Sequence, residues 1–276
     1  FILPAVLFVA AFTLYPSLYG ISVSFTNMHF AYADHGFVGF ENYVRLFTWR
    51  HFPKVALNTF TFVGIVVFLQ LTIGLVGALL LNLNLKGRRL VRTLAVLPWI
   101  LPPVVIGLMF RQVFSGSSFG IMNILLESLG LDRLHWLNHP TRAMIIMILS
   151  LVWRGTALSF ILQLGGLQTI PSELYDAAII DGASVPTLVV TIILPLLRNS
   201  LLINLIMATA GTFNHVDIPL ALTAGGPQRA TEVFSVTLYQ QGFEVLDAGF
   251  AAAIGTLMLL INIVLTIAYL RILRTD

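Results

Sequence analysis

Hydrophobic residues in this chain fall in long unbroken runs, not in alternating or one-sided patterns. A helix needs about 20 apolar residues to cross the hydrocarbon core of a bilayer. Six stretches reach that scale: about 1–25, with Pro4 and Pro16 inside it, then 55–83, 90–114, 141–167, 188–211 and 250–273. Strands of a membrane barrel would instead alternate apolar and polar positions over roughly ten residues. The pattern predicts an all-α membrane protein of six transmembrane helices. No low-complexity linker and no convincing internal repeat divides it, so residues 1–276 read as a single transmembrane domain.

Composition agrees. Hydrophobic residues make up 58% of the chain and charged ones 10%, with a mean hydropathy of +0.92. A soluble domain carries about 25% charged residues, so too few are present here to cover a water-facing surface. The net charge of +3 does not point to nucleic acid, because the cations cluster beside the spans. They report orientation instead. Lys86, Arg88, Arg89 and Arg92 crowd the short connection between spans two and three with no acid among them, a strong cytoplasmic marker. An even number of spans then places both termini inside a cell membrane, in keeping with Arg271 and Arg274 after the last span.

The connection at 168–187 is also expected inside, although acidic, since acids contribute little to the orientation rule. Connections at 26–54, 115–140 and 212–247 then lie outside. In the first of these, Gly39-Phe40-Glu41-Asn42-Tyr43 reads as the start of an interfacial helix, and Trp49, Trp99 and Trp136 as interface anchors. The chain opens at Phe1 directly in an apolar run, so a short cytoplasmic tail is expected to precede it. That run is too long for a signal-peptide core and lacks a small-residue cleavage site. With no cysteine present, disulfides, thiol catalysis and cysteine-based metal sites are excluded.

One polar, acidic island stands out: Asp176-Ala177-Ala178-Ile179-Ile180-Asp181-Gly182, followed by Ile192-Ile193-Leu194-Pro195. Pro171 suits the first turn of a helix, where its missing N–H costs nothing. Glu173 and Asp176 then lie near the positive helix end, which favours carboxylates. Ala177 and Ala178 give a slim surface, Gly182 permits the positive φ that ends the helix, and Ser184 can cap the next one. This acid-Ala-Ala, Gly, Leu-Pro spacing resembles the "EAA" loop of the membrane subunits of ATP-binding-cassette importers, with Asp176 where that family usually has Glu. The resemblance implies a type I importer permease fold and a loop, about 168–187, that docks into a separate ATPase. Glu173, Asp176, Ala177, Ala178, Asp181, Gly182 and Ala183 are then the coupling residues. The chain itself has no phosphate-cradling Gly-x-x-x-x-Gly-Lys-Ser/Thr loop, since neither of its two lysines, Lys54 and Lys86, sits in one. It is therefore not expected to be the enzyme; hydrolysis belongs to a partner.

Further segments resemble the carbohydrate-uptake branch of that family. They are Leu222-Thr223-Ala224-Gly225-Gly226-Pro227 with Thr231, Leu97-Pro98-Trp99-Ile100-Leu101-Pro102-Pro103, the Gly166-Leu167-Gln168 and Ile170-Pro171 pair, and Gly249 with Ala251, Ala252 and Ala253. What the resemblance implies is a permease that forms half of a sugar pathway. Its partners would be a homologous permease, two ATPase subunits and an extracytoplasmic solute-binding protein. Asp217 and Arg229 are expected either to pair locally or to contact that protein or the solute.

Polar residues inside spans are expensive and read first as functional. Here they are Gln70, Arg111, Gln112, Arg154, Gln163, Asn204 and Asn262. Arg111 is near enough to a span end to snorkel outward. Arg154 between Trp153 and Gly155 makes a reasonable sugar-binding wall, the alternative being an ion pair with a carboxylate of the partner permease. Thr209 and Thr212 lie one helical turn apart. The candidate solute-binding set is Trp153, Arg154, Gly155, Thr209, Thr212 and Asn214. The six histidines have no metal-ligand spacing, and neither metal nor cofactor is expected.

An ion-gradient-driven transporter is the alternative, but it needs intramembrane carboxylates. All acids here, from Asp34 to Asp276, fall in predicted connections or span edges. No nucleophile–base pair supports a membrane enzyme. Disaccharides, oligosaccharides, polyols and glycerol-phosphate-type solutes all stay open as cargo. The topology is testable in the cysteine-free background. Single cysteines replacing Arg88 and Gly226 should react with impermeant reagents from opposite sides of the membrane. Reaction of both from outside would overturn the six-span arrangement.

Overall fold

The computed structural model describes residues 2–32, 35–83 and 86–273. Asp34, Arg274 and Asp276 lie outside the described residues. The chain is helical, with no sheet among the described residues. Four helices are long and apolar enough to cross a membrane: α1 (Leu3–Val23), α3 (Phe52–Asn82), α7 (Pro140–Leu167) and α13 (Ala248–Leu273). A short helix α2 (Glu41–Thr48) precedes α3, and α6 (Ile121–Ser128) precedes α7.

The expected spans three and five are each broken. The first consists of α4 (Arg88–Ile100) and α5 (Pro103–Val113), bent by 97°; the second of α9 (Val185–Leu196) and α10 (Arg198–Phe213), bent by 74°. Counting each bent pair as one crossing gives six spans. Between them lie α8 (Ser172–Ile180), and after them α11 (Asp217–Thr223) and α12 (Phe234–Tyr239).

Proline chemistry makes the first break. A residue before proline is pushed out of the helical region. Leu101 precedes Pro102, which precedes Pro103, and both Leu101 (φ −67°, ψ 137°) and Pro102 (φ −56°, ψ 132°) are extended. In the second, Leu194 bonds back five residues to Val189 in a wide turn, and Pro195 follows without an N–H to give. The same device recurs in α1, where the N–H of Tyr15 reaches Ala10 just before Pro16. Prolines and wide turns are the usual causes of such kinks.

The parallel pair α3–α7 is the centre of the packing. Without a hydrophobic driving force between helices in lipid, close approach over small residues and interhelical hydrogen bonds hold spans together. Both are present. Gly74 lies so close to α7 that a Cβ there would be 2.7 Å from Ser159 Cβ and 3.1 Å from the Phe160 amide. Gln70 donates from α3 to the Leu151 carbonyl of α7 at 3.0 Å, and Gln163 donates from α7 to the Leu71 carbonyl of α3 at 3.1 Å.

Around one half of this pair a core gathers Phe62, Val66, Ile146, Met147, Phe213 and Phe234. The other half packs Ala78, Leu81, Phe160, Leu164 and Leu167 against Ile193 and Leu197 of the second broken span. The α1 helix is peripheral. Its return into the bundle is clamped by α2, whose Asn42 amide donates to the Ser24 and Thr26 carbonyls and whose Arg45 pairs with Asp247 at 2.6 Å.

Inserting a side chain at the α3–α7 contact tests this account. Gly74→Val must push against the α7 backbone, and overpacking costs roughly 1–3 kcal/mol. Gly64→Ala, on the same helix, meets nothing within 4 Å. Thermal unfolding in detergent should fall clearly for Gly74→Val and stay at the parental value for Gly64→Ala.

Candidate functional site

A cavity of about 320 Å³ opens where α3, α7 and α10 meet the break between α4 and α5. Its walls follow helical arithmetic. On α7 it takes Leu151, Arg154, Gly155, Leu158 and Ser159; on α10 it takes Asn204, Met207, Ala208, Gly211 and Thr212. Each set follows the i, i+3, i+4 spacing of one helix face. Gln70 enters from α3, Trp99 and Pro103 from the proline break, and His215 and Asp217 from the turn into α11.

The chemistry of this space is unusual for a membrane interior. Gly155 exists because the Gln70 amide lies where its Cβ would be. Ser159 donates to Asn204 Oδ1 at 3.1 Å, which leaves the Asn204 amide nitrogen buried without a partner. Arg154 Nε and His215 Nε2 are likewise buried and without a hydrogen-bond partner. Buried polar atoms are nearly always bonded, so three orphans on one cavity mark a site that a polar ligand would complete. Burial first, and then the positive charge of Arg154, push His215 down to about 4 against the opposite pull of Asp217. At neutral pH it is uncharged.

Of the six expected solute-binding residues, Arg154, Gly155 and Thr212 line the cavity. The other three do not. Trp153 points off that face, its ring 5.9 Å from Phe110, and lines a separate apolar cleft between α3, α4 and α7. Thr209 is buried toward α13, 3.4 Å from the Tyr269 hydroxyl. Asn214 is exposed and donates to the Ala210 carbonyl at 3.0 Å. Sequence alone does not single out Ser159 or His215 and gives Trp99 as an anchor; of the two alternatives for Asp217, local pairing or contact outside the loop, the cavity position fits the second. Following the Gly155 face one turn on, to i+4, reaches Ser159, and the Thr212 face runs back to Asn204, already marked as a polar residue within a span.

The pairing expected between Asp217 and Arg229 is replaced by another. Arg229 binds both oxygens of Glu232, at 2.9 and 2.8 Å, and lies over the Trp49 ring. Glu232 is the nearer acid, one turn away and buried. Lys54 and Asn58 at the start of α3 donate to the Gln228, Arg229 and Glu232 carbonyls, and Thr231 closes the turn onto the Gly226 carbonyl at 2.6 Å. This segment is tied to the bundle, and Asp217 is left facing the cavity. Arg111 is exposed at the end of α5 beside a second cleft with Asn138 and Thr223. Trp136 is anchored within the protein, its indole N–H on Asn123 at 2.9 Å.

At the C-terminal end of α3, helix α8 rests on the Ala78–Leu81–Leu197 cluster through Tyr175, and Ile170 just before it packs there too. Pro171 is its cap residue and not its first turn, with the Leu174 N–H on the Pro171 carbonyl. Gly182 has φ +77°, and the Ala183 N–H reaches back to the Ala178 carbonyl at 2.9 Å. That six-to-one bond with a left-handed glycine is the Schellman stop. Glu173, Asp176, Ala177, Asp181 and Gly182 are exposed, Ala183 is half-buried, and Ala178 turns inward and is buried. Ser184 starts α9, accepting from the Thr187 N–H. Alongside, Arg92 donates to the Leu81 carbonyl at 2.7 Å, a cation on the negative end of α3.

Residues 70–274 match the family described as binding-protein-dependent transport system inner membrane component. The trehalose/maltose transport system permease protein MalF of Thermococcus litoralis is 35% identical over 238 residues, covering 86% of this chain and 80% of that one. The sulfoquinovosyl glycerol transport system permease protein SmoG of Agrobacterium fabrum is 35% identical over 239 residues, covering 87% and 77%. A chain in the crystal structure of a bacterial alginate ABC transporter, in complex with an alginate pentasaccharide-bound periplasmic protein, superposes with a TM-score of 0.84 at 24% identity, covering 100% and 94%. With the bent helices, the polar cavity and the capped α8 on one scaffold, and this match over most of its length, the chain belongs to the binding-protein-dependent inner membrane components, the permeases of ATP-binding-cassette importers.

Proposed function

We propose that this chain acts as one transmembrane unit forming half of the solute pathway of an ATP-driven sugar importer, with the cavity around Arg154 and Asn204 as its binding wall. The carrying observation is the convergence of the unpartnered Arg154 Nε, Asn204 Nδ2 and His215 Nε2 on one space. Sugar hydroxyls both donate and accept, so they can complete such atoms, and Trp99 beside them offers a flat apolar face for a ring. The names of the relatives support a saccharide-type cargo.

A homologous permease would supply the facing wall, an extracytoplasmic binding protein would deliver solute, and two ATPase subunits would supply energy. The α8 end, with Arg88, Arg89 and Arg92, faces the cytoplasm on this reading, and both termini lie there. Exposed Ala177 beside Asp176 and Asp181 then forms the docking surface for the ATPase, while Gly182 keeps the helix short enough to seat.

Two measurements test the two halves of this reading. Hydrogen bonds to a charged group contribute about 1.5–3 kcal/mol, so Arg154→Ala should lower transport by about tenfold or more while the assembled complex survives. Trp153→Leu, off the cavity, should stay within about twofold of the parent. Unchanged uptake by Arg154→Ala across solute concentrations would move the site elsewhere. For coupling, Gly182→Val forces a β-branched residue into a left-handed backbone. Ala177→Leu adds bulk only on an exposed face. Both should abolish solute-stimulated ATP hydrolysis by the purified complex, with the permease still inserted; parental stimulation in both would show that α8 is not the coupling element.

A further inference from the structure

We infer that the cavity selects neutral polyhydroxylated solutes and disfavours those carrying a phosphate, sulfonate or carboxylate group. This rests on the reading that the cavity lies on the solute path. Arg154 is the only Arg or Lys and Asp217 the only Asp or Glu among its described lining residues, so they bring charges of opposite sign. Neither forms an ion pair within 4 Å among the described residues, yet both line the same cavity and His215 there feels both charges. The rest of the polar lining is neutral: Gln70, Ser159, Asn204 and Thr212. His215, uncharged at neutral pH, adds no second cation.

The donor and acceptor inventory leads to the same class. Arg154 and the free Asn204 amide nitrogen can only donate, and Asp217 can only accept. A hydroxyl satisfies both kinds of group by donating to one and accepting from the other. A dissociated phosphate or sulfonate only accepts, so it would gain Arg154 but lie in the same small space as the Asp217 carboxylate with no proton to offer it. Its charge would be drawn to one wall and repelled by the other. A neutral sugar is bound by both.

The cysteine-free chain allows the charge balance to be measured directly. Met207 lines the cavity and is 46% exposed. Met207→Cys, in the assembled complex with partner subunits made cysteine-free, is reacted with cationic and anionic methanethiosulfonates of similar size, and the rate ratio is compared with that of a free thiol. The parental cavity should leave the ratio unchanged within about threefold, while Asp217→Asn should shift it toward the anionic reagent and Arg154→Gln toward the cationic one by about tenfold each. An anionic preference of about tenfold or more in the parental cavity, or no response to Asp217→Asn, would overturn the inference and leave the functional reading standing. The functional reading has its own readout. Complete labelling of Met207→Cys should block the transport that the unlabelled variant shows. Transport that survives labelling, or a thiol that neither reagent reaches, would place the solute path elsewhere and remove both.

Discussion

Everything in this fold leans on the contact between α3 and α7. In a bilayer the apolar surfaces of two helices gain little from meeting each other, so the contact must be made by proximity and hydrogen bonds. Gly74 supplies the proximity and the two glutamines supply the bonds, each reaching across to the other helix's carbonyl. The same arrangement also opens the site. Gln70 can cross to Leu151 only because Gly155 has no side chain, and that exchange sets an amide and a bare stretch of helix at the floor of the cavity. The residue that braces the core is thus also part of the polar lining, and the cavity cannot be changed there without loosening the helix pair.

The broken spans serve the same space from the other side. A straight helix over residues 90–114 would present a continuous apolar wall. The Leu101-Pro102-Pro103 sequence turns it by 97° and brings Trp99 and Pro103 to the cavity. Irregular backbone at membrane depth is tolerated where it is buried in protein or lines a cavity, and here it lines one. The α11 helix packs on α5 closely enough that a Cβ on Gly107 would be 2.8 Å from Ala221 Cβ. That contact holds the start of α11, and with it Asp217, in place beside the broken span.

Much of this was legible from residues alone. Long apolar runs set the helices, and their rough limits match because hydrophobic length is what a bilayer constrains. The stop of α8 was legible because a left-handed backbone has a strong preference for Gly182. What sequence alone did not reveal was orientation around each helix. Trp153 and Thr209 lie one position off the faces that line the cavity, a rotation of about 100° per residue, and hydropathy cannot report rotation when every face of a span is apolar. For Asp217 the sequence left two alternatives, and what decides between them is not local. Its expected partner, Arg229, takes the nearer and buried Glu232 instead, and that preference exists only once the 223–232 turn has folded onto α3.

The cavity meets α3 near its middle, at Gln70, and α8 packs near its C-terminal end, by Ala78 and Leu81, and the parts between them are contiguous. Leu197, at the 74° hinge between α9 and α10, packs in one cluster with Ala78, Leu81 and Leu167, and Tyr175 of α8 rests on the same cluster. From that hinge α10 runs directly to Asn204 and Thr212 at the cavity. Gly166 on α7 faces Leu197 and Ser200 so closely that an added Cβ would be 2.8 Å from the Leu197 side chain. On the proposed reading a push on α8 therefore reaches the pathway through one packed joint. A packed joint shifts between discrete arrangements more readily than it deforms. Motion at the docking end would then rotate α10 as a body, withdrawing the Asn204 amide from solute while Gln70 and Arg154, on the braced pair, stay where they are.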